Sequence, residues 1–230
     1  MRRSTNKLTG YTVRATDGEL GKVDDFYFDD HSWTIRYLVV NTGGWLSGRR
    51  VLIAAAALGK PDWEAHAFPV KLTRDQVRNS PGTDTDMPVS RQHEIELHSY
   101  YEWPIYWNSY VWGNTIEMFS PPKDIPVFPR EPNSTTPHPG GDPHLRSTHV
   151  TTYYRIHATD GDIGHVDDFI VDDETWCISD LVVDTRNWLP GRRVLVAPQS
   201  ITAVSWEDAK VLLNLSRDAV RQSPVFDPHT

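Results

Sequence analysis

The chain has 230 residues, 38% of them hydrophobic and 23% charged, a composition that leaves room for two small globular domains and excludes a fibrous or wholly disordered chain. Its formal net charge of -8 disfavours nucleic acid as a partner, because binding to a phosphate backbone draws its affinity from Lys and Arg. No apolar run follows the arginines of MRRSTNKLTG and nowhere do about 18 apolar residues run together, so neither a signal peptide nor a membrane span is expected, and a cytoplasmic location is.

Tyr11 is matched by Tyr154, and this offset of 143 positions holds without a gap from Arg3/Arg146 to Pro81/Pro224, with roughly half of the paired positions identical. ATDG, VDDF and GRRVL occur once in each copy, and Trp33, Trp45 and Trp63 are in register with Trp176, Trp188 and Trp206. The chain is therefore a tandem duplication over 1–82 and 145–227, joined by 83–144.

Asp17-Gly18 and Asp160-Gly161 supply the positive φ of a tight hairpin turn. In the strand that follows, Gly21 to Phe28, the apolar residues Val23, Phe26 and Phe28 change parity at Asp24-Asp25, which predicts a β-bulge there. Trp33 to Thr42 is apolar on both faces at Ile35, Leu38, Val39 and Val40, as a central strand requires. Gly43 to Gly48 reads as a loop and Arg50 to Ile53 as a short strand. Thr73 caps a brief helix with Gln76 as its capping-box partner; the second copy keeps Ser216 but has Ala219. Five or six short strands and one helical turn per copy predict a mainly β fold of two small closed barrels. A twofold pairing of the two, as in a fused homodimer, is the simplest assembly.

These residues resemble the PRC-barrel family, named for the cytoplasmic domain of the photosynthetic reaction-centre H subunit. The resemblance rests on G-Y-x-V-x-A-x-D-G-E-x-G-x-V-D-D in Gly10 to Asp25, W-x-I-x-Y-L-V-V in Trp33 to Val40 and W-L-x-G-R-R-V-L in Trp45 to Leu52, and covers both copies. The second copy departs at Gly10 (Tyr153), Glu19 (Asp162), Tyr37 (Asp180) and Gly43-Gly44 (Arg186-Asn187), changes expected at turns or solvent faces. The resemblance implies an interaction module without catalytic motif or cofactor. It also admits an RNA- or ribosome-associated factor like the ribosome maturation proteins, and a reaction-centre-related accessory protein or small-ligand carrier.

Between the copies, Ser90 to Glu102 can form a helix that Pro104 ends. The aromatic residues Tyr100, Tyr101, Trp103, Tyr106, Trp107, Tyr110 and Trp112 are too many to lie bare in water, since burying each stabilises by roughly 1.5–3 kcal/mol. They are expected to dock on a barrel or between barrels, or else to anchor a partner. From Ser120 to His144 the proline-rich text reads as a semi-extended linker.

No catalytic or metal set is expected. Asp24, Asp25, Asp29 and Asp30, repeated as Asp167, Asp168, Asp172 and Asp173, fit no EF-hand spacing and read as turn caps and bulge residues. His93-Glu94 and His98 fail the zinc-protease pattern, because an i+5 spacing turns the second histidine roughly 140° from the first. Cys177 reads as a buried strand residue. The candidate partner-binding residues are Trp45, Arg49 and Arg50, their copies Trp188, Arg192 and Arg193, and the linker aromatics Tyr101, Trp103 and Trp107, since Trp, Tyr and Arg anchor interfaces.

Overall fold

A computed structural model of the chain describes residues 1–81, 89, 91–107, 145–185 and 192–227. The first repeat runs β1 (Arg2–Ser4), α1 (Thr5–Leu8), β2 (Thr12–Ala15), β3 (Gly18–Asp29), β4 (Thr34–Asn41), β5 (Arg50–Ala54), β6 (Ala67–Pro69) and α2 (Arg74–Arg78), and α3 (Arg91–Tyr101) follows it. The second runs β7 (Leu145–Ser147), α4 (Thr148–Thr151), β8 (Arg155–Ala158), β9 (Gly161–Asp172), β10 (Ile178–Asp184), β11 (Arg193–Val196), β12 (Ile201–Ser205), β13 (Lys210–Leu213) and α5 (Arg217–Arg221).

Two sheets result, ordered β5-β4-β3-β2-β6 and β11-β10-β9-β8-β13-β12. The register of β3 on β4 shifts between Val23 and Asp25, which leaves Asp24 as the extra residue of the bulge; β9 on β10 does the same at Asp167. Gly21 is required by close approach: a Cβ there would stand 2.1 Å from the Asn41 carbonyl oxygen, and one at Gly164 would stand 1.9 Å from that of Asp184. Thr73 and Gln76 form the complete capping box, and Ser216 accepts from the Ala219 N–H.

Where the sequence predicts closed barrels, the ladders among the described residues stay open, one path ending at β5 and β6 and the other at β11 and β12. The long third strand explains part of this. β2 pairs only with Gly18 to Lys22 of β3, so the rest of that edge outlasts its partner. The first strand of the other repeat fills it: β7 pairs with Tyr27 to Asp29 of β3, and β1 pairs with Ile170 to Asp172 of β9. Each repeat thus lends its first strand to the other, which covers an edge that would otherwise be open to aggregation.

The second aspartate of each VDD motif holds the exchange. Asp168 accepts from the Ser4 hydroxyl, the Thr5 hydroxyl (2.8 Å) and the Asn6 N–H (3.1 Å). Asp25 accepts from Ser147 (2.5 Å), Thr148 (2.9 Å) and the His149 N–H (3.0 Å). Ionised acceptors make these bonds stronger than neutral ones. Burial holds both carboxyls above the usual carboxylate value, against the pull of those donors. Asp29 and Asp172 cap their turns as expected, accepting from His31 and Ser32 and from Glu174 and Thr175. Asp30 and Asp173 bind the exchanged arginines, Arg146 at 2.8 Å and Arg3 at 3.4 Å.

One apolar cluster runs through both halves. Phe28 of β3 lies 5.2 Å from Phe169 of β9, and Trp33, stacked on Phe28, turns into the cluster at a positive φ. Cys177, expected to be buried within a strand, is half-buried and forms an isolated bridge with Thr34. It stands where the two halves meet rather than inside one of them. No helix among the described residues is long and apolar enough to cross a membrane.

Candidate functional site

Two features stand out among the described residues: a groove repeated in each half, and a face of the first half covered by α3. The first groove, about 680 Å³, is lined by Gly10, Glu19, Lys22, Asp24, Asn41, Trp45 and Arg74, among others. The second, about 590 Å³, is lined by Tyr153, Asp162, Gly164, His165 and Arg217 at equivalent positions, with Arg155 and Ile163. Both lie where the third strand leaves its hairpin, next to the turn residues rather than on them. Asp17 accepts from the Arg74 N–H (2.8 Å) and Asp160 from the Arg217 N–H (2.7 Å), which ties the terminal helix of each repeat to the hairpin.

Trp45 forms part of the first groove's rim. Its indole N–H donates to the Leu20 carbonyl, and the Arg74 guanidinium lies 4.5 Å over its ring. A cation on an indole face is an attractive contact that also keeps the ring in place. Arg50 pairs with the bulge residue Asp24 (3.0 Å), and Arg193 with Asp167 (3.2 Å). Arg49 reaches instead to backbone carbonyls after α2, Pro81 at 2.7 Å and Ser80 at 3.2 Å, and Arg192 reaches the Arg221 carbonyl at 3.4 Å. Trp188 lies outside the described residues. The structure therefore places Trp45 in the groove wall and ties Arg50 to the lining residue Asp24, while Arg49 is taken up by the carbonyls after α2.

The covered face belongs to α3. Glu94, Leu97 and His98 point inward and are buried, and Glu94 is 0% exposed. Tyr37 of β4 donates from its hydroxyl to Glu94 (2.8 Å) and lies 2.7 Å from His98 Nε2. Tyr106 also donates to Glu94, and Arg91 supplies the countercharge at 2.9 Å. A buried carboxylate needs such a set, because an unpaired charge inside a protein is strongly destabilising. Burial, then the Glu94 charge, pushes the Tyr37 hydroxyl far above its ordinary value, and burial pushes His98 below its own.

The linker aromatics form the outer layer of this cover. Trp103 is buried against the cluster, and Tyr101 stacks on it at 4.3 Å. Trp107 meets His98 edge-on at 4.7 Å and lies under the Arg91 guanidinium, while Arg36 covers Tyr106. Tyr110 and Trp112 lie outside the described residues.

The change of Tyr37 to Asp180 between repeats, expected at a solvent face, is corrected here. Tyr37 is 0% exposed beneath α3, whereas Asp180 pairs with Arg2 at 3.2 Å. Sequence reading missed Tyr37, Glu94 and His98 as one group. The available signal was the Glu94 to His98 spacing of four, which puts both side chains on one helix face.

No curated protein matches the chain. Residues 2–73, which run from the exchanged first strand to the cap of α2, match the family model described as PRC-barrel domain.

Proposed function

We propose that the chain is a non-enzymatic interaction or scaffold protein, built as two PRC-type repeats that offer a protein partner two grooves at a fixed separation. The observation that carries this reading is the pair of equivalent grooves in halves locked together by exchanged strands. A rigid pair of sites loses little freedom on binding, so a partner that reaches both gains from effective concentration as well as contact. Trp45, in the wall of the first groove, and Arg50, paired with its lining residue Asp24, are the anchors offered there, and α3 with its aromatic layer makes the first half unlike the second. The resemblance of residues 2–73 to an interaction module supports the same reading. A ribosome-associated role has the net charge of -8 against it.

Affinity capture from the native cell, with the wild type beside a Trp45→Ala/Arg50→Glu variant, tests this. A stable protein partner held by the wild type and lost by the variant is expected. Recovery of no partner, or equal recovery by both, counts against it.

A further inference from the structure

The second sheet ends on β12, and its other edges are met by the chain itself. β1 pairs with the stretch of β9 that would stand open, and on β11 the Leu195 N–H donates to the Pro224 carbonyl at 2.8 Å and the Phe226 N–H to the Arg193 carbonyl at 2.9 Å. β12 pairs with β13 on its inner side, with Thr202 as the extra residue of a bulge, and among the described residues no strand pairs with its outer side. An edge of this kind presents a row of backbone N–H and C=O groups, a template for another strand.

The first repeat treats the same position differently. At the offset of 143, Ile201 to Ser205 is matched by Leu58 to Asp62, so Thr202, Ala203 and Val204 stand where the first repeat has Gly59, Lys60 and Pro61. There the chain makes isolated bridges, Leu58 to Val70 and Asp62 to Ala67, in place of a strand. Proline lacks the N–H and lysine repels its like, two devices that keep sheet edges from pairing. The second repeat carries neither: its edge is uncharged, and the β-branched Ile201, Thr202 and Val204 favour extended backbone. The tryptophan that follows changes as well. Both indoles lie under an exchanged arginine, Arg3 at 4.2 Å and Arg146 at 5.5 Å, but Trp63 also packs against the apolar cluster while Trp206 is 37% exposed.

We propose that β12 is a dimerisation edge, pairing antiparallel with β12 of a second copy of this chain so that the two second-repeat sheets become one. Charge and symmetry name the occupant. With a net charge of -8, two copies repel over most approaches, whereas Ile201 to Ser205 brings no charge against its like. A twofold axis supplies each copy with a strand of matching sense and composition and leaves no edge over. In that sense the end of one strand meets the start of the other, so each exposed Trp206 gains apolar cover from its neighbour. The chain already uses strands of its own duplicate in this way, on β3 and β9. β12 lines neither groove, and the dimer leaves both open to a partner. One five-residue strand from each copy makes a small interface, so dissociation around the micromolar range is expected.

Sedimentation velocity of the full chain from roughly 1 µM to 1 mM tests the proposal. A monomer–dimer equilibrium is expected of the wild type. An Ala203→Lys/Val204→Pro variant gives the edge the first repeat's own lysine and proline and is expected to weaken dimerisation by about tenfold or more, with near-UV circular dichroism like that of the wild type. Ala203→Lys alone, at an exposed position, spares the contact of Val204 with the core and should act in the same direction. The Trp45→Ala/Arg50→Glu variant leaves β12 intact and should dimerise as the wild type does. A wild type that stays monomeric throughout overturns the proposal. So does dimerisation that survives both changes in β12 or is lost with the groove variant, since the copies then meet elsewhere.

Discussion

Thr34 and Cys177 occupy the same position in the two repeats and bridge to each other, with Thr34 Oγ1 3.7 Å from Cys177 Sγ. A residue that meets its own counterpart marks the pseudo-twofold axis of the molecule. The flanking bonds are images of one another: Ile35 N–H donates to the Trp176 carbonyl at 2.8 Å and Ile178 N–H to the Trp33 carbonyl at 2.7 Å. Residues directly opposite on antiparallel strands have Cα atoms about 4.5–5.5 Å apart, within disulfide reach. Thr34→Cys should therefore join Cys177 under mild oxidation and stabilise the chain by about 3–5 kcal/mol, since the closed loop is long. Thiol titration and urea unfolding check this. Two free thiols after oxidation would mean that the axis is misplaced.

Asp168→Ala leaves the Ser4 and Thr5 hydroxyls and the Asn6 N–H without their acceptor. A cost of about 2–4 kcal/mol is expected, and hydrogen exchange at Arg2 to Ser4 should rise more than in β10. Asp25→Ala should act in the same way on Leu145 to Ser147. An equal rise throughout the sheet would show that the aspartate does not hold the strand locally.

The same two carboxyls set a pH dependence. Burial raises both above the usual 3.8, so the folded chain holds these protons more tightly than the unfolded one. Their contribution to stability is complete below that value and is lost as pH rises through the raised one. An Asp25→Asn/Asp168→Asn variant should accordingly show a shallower decline of unfolding free energy from about pH 4 upward. Parallel pH profiles would assign the slope to other groups.

Tyr37→Phe removes a donor from the buried Glu94 and should cost about 1–3 kcal/mol, with coupling to Glu94→Gln in a double-mutant cycle. Tyr37→Asp, the residue of the second repeat, places a second carboxyl beside Glu94 and should cost more, about 3–5 kcal/mol. Urea titration of the three variants decides; strict additivity in the cycle would separate Tyr37 from Glu94.

Much of each half was legible locally. The parity change at Asp24-Asp25 marked the bulge, and Thr73 with Gln76 marked a helix start, because both signals depend on neighbours in sequence. The strand exchange was not legible. Arg2 to Ser4 is a three-residue polar strand without alternation, and nothing in its text states which repeat should receive it. Tyr37 was misread for a related reason: its cover comes from α3, which lies outside the repeated text, so comparing the repeats made a buried residue look like a surface change.

The crossing of first strands changes what a cut in the chain would do. A protease acting between Trp107 and Leu145 would leave two fragments, each with its opening strand bound in the other's sheet. The nicked protein should migrate as one particle in native gels and fall apart only in denaturant. Loss of either copy from the gene would leave the surviving one with an orphaned strand and an open seat.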